Sequence, residues 1–191
     1  MPTHVALLRG VNLGPSRRLI MADLRRVVES LGHTDVATYI QSGNVVLTSV
    51  EPDPATVAAA LQQALADQLG LTSAVVALDR AEFDRVVAAN PYPDEPDPKK
   101  VHAVFRATAP GDEEIAAVAG AVERARAKGS RDAATVLGRV VYLHLPDGMG
   151  RSELAAQLNR LPGATTAPDG GGTVRNWATV RKLQAMLDAP G

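Results

Sequence analysis

The sequence predicts two α+β domains, the first with the ferredoxin-like order βαββαβ around an antiparallel sheet. Three observations carry that expectation. Apolar runs of strand length alternate with stretches whose apolar residues recur at helical spacing. A Ser42-Gly43-Asn44 turn signal separates two β-rich runs. Four prolines crowd NPYPDEPDP (90–98) and mark a boundary between a domain over 1–90 and one over 99–191.

In chain order, HVALLRG (4–10) is a continuous apolar run stopped by Gly10, the pattern of a buried strand. Met21 to Leu31 carries Leu24, Val27, Val28 and Leu31 on one helical face, with Gly32 as its stop. Val36 to Gln41 and Val45 to Ser49 are the strands flanking the turn. Asp53-Pro54 supplies an N-cap and a proline at the first helical position, followed by a Val57, Leu61, Leu65, Leu69 stripe and Gly70. Ser73 to Leu78 reads as a strand, and Asp79 with Glu82 as a capping box for a helix through Ala89.

The second half partly repeats this scheme as a related α+β sandwich. Val101 to Phe105 is a strand, and Asp112 to Arg126 a helix whose first acidic residues suit its dipole. Ala134 to Val136 and Val140 to Leu145 flank a Leu137-Gly138-Arg139 turn. A helix starts at Ser152, a Gly/Pro/Thr-rich loop covers 162–174, and a C-terminal helix carries Trp177, Val180, Leu183 and Leu187. No residue-level repeat accompanies the similarity.

Composition excludes several function classes. The net charge is -1, so the total favours neither nucleic acid nor membrane surfaces, although ten Lys/Arg against five Asp/Glu follow from Arg124 onward. Without cysteine there is no disulfide, thiolate catalysis or Cys-built metal site. The four histidines lack metal-ligand spacing, so no metal is expected, and no cofactor is indicated. No run approaches the roughly 20 apolar residues of a membrane helix, and MPTHVALLRG lacks the regions of a signal peptide. A cytoplasmic protein is the expectation. The βαββαβ order also serves RNA recognition, but that use stacks bases on aromatics of the central strands, and HVALLRG and VVLTS have none.

Four polar loops carry the candidate chemistry. In Arg9-Gly10-Val11-Asn12-Leu13-Gly14, a strand runs into a Gly-flanked loop where backbone N–H groups can approach an anion and Arg9 can clamp it, with Arg17 and Arg18 close behind. The spacing fits neither nucleotide fingerprint. The competing reading gives the glycines only a tight connection and pairs Arg9 with a carboxylate. In Tyr39-Ile40-Gln41-Ser42-Gly43-Asn44 the turn requires Gly and Asn, but not Gln41 or Ser42. This hairpin is expected at the sheet end opposite Arg9, giving two separate polar patches.

Gly148-Met149-Gly150-Arg151-Ser152 leads from a strand into a helix, either an anion site or ordinary capping by Ser152. In Thr173-Val174-Arg175-Asn176-Trp177, Trp177 reads as core and Thr173 or Asn176 as a cap, leaving Arg175 over. His102 and His144 read as structural strand histidines, and the acidic residues of 94–97 as solvated charge. The serines lack a G-x-S-x-G elbow.

Together, LLRGVNLG, MADLRRVVESLGHTDVATYIQSGNVVLTS, VYLHLPDGMGRSEL and RNWATVRKL resemble the bacterial family called domain of unknown function 1697. Its members carry R-G-[IV]-N-[VL]-G, Y-[IL]-Q-S-G-N, Y-x-x-x-P-x-G-x-G-R-S and a late R-N-W, and the four blocks occur here in order. The resemblance implies two α+β domains and marks Arg9, Asn12, Gln41, Ser42, Asn44, Arg151, Ser152, Arg175 and Asn176 as candidate ligand-binding residues. It implies no reaction. One departure is the PDGGG-containing stretch before Arg175, which lengthens the loop presenting that residue.

Three functions compete. The leading one is binding of a small anionic ligand, a nucleotide or phosphorylated metabolite, through the Gly/Arg/Asn loops. The second is a transferase or hydrolase acting on a phosphate-bearing substrate, for which the sequence shows no evident nucleophile or general base. The third is a regulatory or interaction module, a homodimer for example, in which the motif arginines hold contacts together.

Overall fold

A computed structural model of the protein describes residues 1–12, 18–161 and 172–189. By internal contacts the chain divides into two units, one comprising Met1–Val87 with Arg181–Gly191, the other Ala88–Val180. The architecture is mixed α+β, with two four-stranded antiparallel sheets. Among the described residues no helix is long and apolar enough to cross a membrane.

The first unit runs β1 (His4–Leu8), α1 (Met21–Ser30), β2 (Thr34–Tyr39), β3 (Asn44–Thr48), α2 (Pro54–Leu69), β4 (Val75–Asp79) and α3 (Arg80–Ala88). Its sheet has the order β2-β3-β1-β4. Every residue of β1 is buried, which accounts for a continuous apolar run in place of the alternation of a half-exposed strand. Ala6, Leu8, Val45, Leu47, Val75 and Ala77 form one core with Leu24, Val28, Leu61 and Leu65 of the helices. The predicted start of α2 is present: the Asp53 carboxylate accepts from the N–H groups of Ala55 and Thr56, and Gly70 ends the helix in the left-handed conformation.

The second unit repeats the element order: β5 (Val101–Phe105), α4 (Asp112–Ala127), β6 (Ala133–Leu137), β7 (Val140–His144), α5 (Glu153–Leu158) and β8 (Thr173–Asn176), followed by α6 (Trp177–Asp188), of which residues up to Val180 belong to this unit and those from Arg181 to the first. The sheet order, β6-β7-β5-β8, is also repeated. Its core joins Val118, Ala121 and Ala125 to Val141, Leu143, Leu145 and Leu154. Trp177 is buried, as its place on the apolar stripe predicts, and its ring lies 6.1 Å from that of Tyr142.

Two expectations change here. The stretch read as loop running into helix contains a strand, β8, with Arg175 opposite Ala103 and Thr173 opposite Phe105. Four residues are too few for a periodicity signal, and only pairing with β5 defines the strand. The last glycine of the PDGGG stretch explains part of that insertion. Gly172 has φ +62°, and a Cβ there would lie 2.6 Å from the Phe105 carbonyl oxygen.

The second change concerns 90–98, read above as a domain boundary whose acidic residues are solvated. Tyr92 Oη lies 3.0 Å from Thr135 Oγ1, the Tyr92 ring stacks on His144, and Glu95 bonds the same histidine. The segment is therefore fastened along the second sheet.

Gly172→Ala combines a left-handed φ with a clash against backbone. It should cost about 2–5 kcal/mol in urea unfolding; an unchanged midpoint would show that β8 does not need the close approach.

Candidate functional site

The site begins with strand direction. β1 and β3 pair antiparallel with Leu7 opposite Asn44, so the end of β1 lies beside the start of β3 and thus beside the β2–β3 hairpin. The loop after β1 and the hairpin share one end of the sheet, contrary to the expected separation. A chain leaving β1 through a helix re-enters the sheet with β2 running the same way as β1, so both strands finish at the same edge.

Side chains then join the two motifs. Asn12 donates from Nδ2 to the carbonyls of Leu19 (3.0 Å) and Gln41 (2.8 Å), while its Oδ1 accepts from the Leu19 N–H (2.8 Å). One amide thus closes the β1 loop and ties it to the hairpin. The Leu8 N–H donates to the Gly43 carbonyl, and a Cβ on Gly43 (φ +71°) would lie 2.6 Å from Leu8 Cβ and 2.8 Å from Val11 Cγ2. Asn44, fully buried, donates to the Tyr39 carbonyl (3.0 Å) and Ser42 Oγ (2.9 Å), bracing the turn from inside. The Arg9 N–H donates to the Ala74 carbonyl and its own carbonyl accepts from Ser73 Oγ, pinning the start of the loop to the residues that lead into β4.

The backbone here is strained. Asn12 and Ile40 have φ of +58° and +49°, and a β-branched residue in that region is sterically costly, by about 1–2 kcal/mol. Such strain persists only where the surroundings fix it, as the bonds to Tyr39 and Gln41 do here. Gln41 and Arg18 are exposed and Arg9 is half-buried. Among the described residues, the N–H groups of Gly10 and Gln41 find no acceptor.

In the second unit Ser152 and Asn176 cap helices. Ser152 Oγ accepts from the Ala155 N–H, capping α5, and donates to Asp132 Oδ2 at 2.8 Å. That carboxylate, itself buried, also accepts from the Leu154 N–H. The position at the helix start favourable to an anion is therefore filled by the chain's own Asp132. Arg151 lies exposed at the end of a short 3-10 turn, Met149–Arg151. Asn176 Oδ1 accepts from the Thr179 N–H and caps α6. Arg175 is buried on β8 and donates to Thr173 Oγ1 (2.7 Å) and the Val174 carbonyl (2.8 Å); burial lowers its pKa to about 10.

One arrangement escaped the sequence reading. Glu95 Oε2 lies 2.7 Å from His144 Nε2, and Tyr92 stacks on the imidazole with ring centroids 5.3 Å apart. The bond to His144, then the Asp97 N–H, hold the Glu95 carboxyl below its ordinary value of 4.5. The partners are 49 residues apart, and the proline-rich context of Glu95 pointed to solvent.

Comparison with known proteins adds a family and a fold. Residues 1–142 match a family model described as protein of unknown function (DUF1697). A solved structure, that of the conserved bacterial protein SP0830 from Streptococcus pneumoniae, superposes with a TM-score of 0.73 at 22% identity, covering 97% of this chain and 98% of that one. At that identity the likeness is one of fold. No curated protein matches.

Two outcomes follow from this geometry. Gly43→Ala should destabilise by about 2–4 kcal/mol in urea unfolding, since its Cβ has no room and its φ is unfavourable; a loss below about 0.5 kcal/mol would contradict the close packing of hairpin on loop. The second concerns acid. A carboxylate with a depressed pKa stabilises the fold above its unfolded pKa and loses that contribution as pH falls through the folded one. Glu95→Gln should therefore flatten the decline of the thermal midpoint on acidification below about 4.5. Identical pH profiles would remove the Glu95–His144 bond from the account.

Proposed function

We propose that this chain, which belongs to the DUF1697 family of proteins of unknown function, binds a small anionic ligand at the end of its first sheet where β1 meets the β2–β3 hairpin. The ligand class is a nucleotide or phosphorylated metabolite. The reading goes with a cytoplasmic location and a ferredoxin-like first unit.

The observation that carries it is the convergence of two polar motifs on one braced surface. Asn12 and Gly43 hold loop and hairpin together, with positive φ at the non-glycine residues Asn12 and Ile40. In this reading Asn12, Ser42 and Asn44 are scaffold. Arg18, the Gln41 side chain and the N–H groups of Gly10 and Gln41 are the groups offered to an anion. A phosphate suits that set, because it accepts from several N–H donors at once and pairs with guanidinium in bidentate fashion. Ser152 contributes to folding of the second unit, since Asp132 occupies its neighbourhood.

Thermal unfolding against a panel of nucleotides and phosphorylated metabolites tests the proposal. A ligand at about 100 times its dissociation constant should stabilise by about 2.7 kcal/mol, with the effect lost in Arg18→Ala and Gln41→Ala, exposed positions whose substitution should leave the unliganded midpoint unchanged. A panel without any shift would reject the ligand class, and a shift retained in both variants would move the site elsewhere.

A further inference from the structure

The chain has four histidines, and the structure holds one of them unlike the rest. His4 and His102 are buried, each with one ring nitrogen that finds no hydrogen-bond partner among the described residues. His33 turns its Nε2 inward in the same condition, and burial lowers its pKa. His144, at the end of β7, keeps 25% of its side chain exposed and carries a carboxylate on one nitrogen, with Nε2 lying 2.7 Å from Glu95 Oε2.

Glu95 decides which nitrogen of His144 bears the proton. Its Oε1 accepts from the Asp97 N–H (3.0 Å), and that bond together with the one to His144 keeps the carboxyl ionised at neutral pH. An ionised carboxylate only accepts, so the imidazole donates from Nε2, and Nδ1 retains its lone pair. That Nδ1 has no hydrogen-bond partner among the described residues and is not buried. Tyr92 fixes the ring plane, stacked with centroids 5.3 Å apart and tied through its Oη to Thr135 Oγ1. The cross-strand neighbours of His144 are Val101 and Ala133, so no charged side chain stands directly opposite it in the sheet. Fastening the 90–98 segment accounts for the stack and the carboxylate bond; it makes no use of the open Nδ1.

An imidazole held by a carboxylate on one nitrogen and open on the other is arranged as a nucleophile or base. We propose that His144 is a nucleophile that transfers the acyl group of an ester to water, with Glu95 as its positioning residue. Nδ1 adds to the carbonyl carbon, the ester C–O bond breaks, and the electron pair leaves with the alkoxide. The acylated ring is then cationic and passes its Nε2 proton to Glu95, which hands it on to the alkoxide. Water cleaves the N–C bond: its hydroxyl stays on the acyl carbon and its other proton restores the imidazole. The Glu95 carboxylate beside the ring repels a phosphate dianion, so the acyl donor is an uncharged ester. This site is independent of the one proposed at the end of the first sheet.

The test uses the full chain and p-nitrophenyl acetate, a neutral ester, with phenolate release followed at neutral pH. Release should fall about a hundredfold in His144→Gln and stay unchanged in His33→Gln. Glu95→Gln should lower kcat about tenfold with KM unchanged, a split that a merely structural role would not produce. Diethylpyrocarbonate labelling with peptide mass mapping gives an arm that needs no variant. In the native chain His144 should label about tenfold faster than His33, and the buried His4 and His102 only on unfolding. Release no faster than from free imidazole at equal concentration, release retained in His144→Gln, or equal labelling of His33 and His144 would each overturn the nucleophile. An unchanged kcat in Glu95→Gln would overturn the positioning role.

Discussion

The direction in which β2 re-enters the sheet is the constraint on which the first unit's polar surface depends. β1 leads into α1, and the chain returns in β2 running parallel to β1 with β3 between them. The two strands must then finish at the same edge. The loop after β1 and the hairpin after β2, some thirty residues apart, become neighbours through topology before any side chain contributes. Asn12 and Gly43 turn that neighbourhood into a fixed surface, one by three hydrogen bonds and the other by the absence of a Cβ.

The motif residues divide by what they spend their polar atoms on. Asn12, Asn44, Ser152 and Asn176 direct theirs to the backbone or to side chains of the same unit, satisfying groups that loops and helix ends would otherwise leave unpaired. Asp132 shows the same economy from the opposite sign, a buried carboxylate stabilised by the start of α5 and the Ser152 hydroxyl. A polar residue in a signature is thus as readily an internal brace as a ligand contact. Exposed Gln41 and Arg18, beside braced neighbours, are the positions where that explanation does not apply.

Much of the fold was legible in the sequence because local chemistry specified it. Asp53-Pro54 and Gly70 bracket α2, and the unbroken apolar run of β1 announced a strand buried on both faces. The misses are non-local. β8 is a strand only because β5 lies beside it, and Glu95 is half-buried only because it reaches His144, on which Tyr92 stacks. The hairpin's position was wrong for a different reason: the strand types were right, but the direction of β2 through the crossover was taken in reverse. The marked residues were found by pattern, while their division into brace and exposed group needed coordinates.

Native-state hydrogen exchange at two amides tests the bracing most directly. The Leu19 N–H donates to Asn12 Oδ1 and the Leu8 N–H to the Gly43 carbonyl, each at 2.8 Å, on the two sides of the junction. If loop and hairpin form one fixed surface, both amides should be protected and should open with the same free energy as denaturant is added. A Leu19 amide exchanging at the unprotected rate beside a protected Leu8 would mean that the loop is not held, and that the two motifs do not make a site.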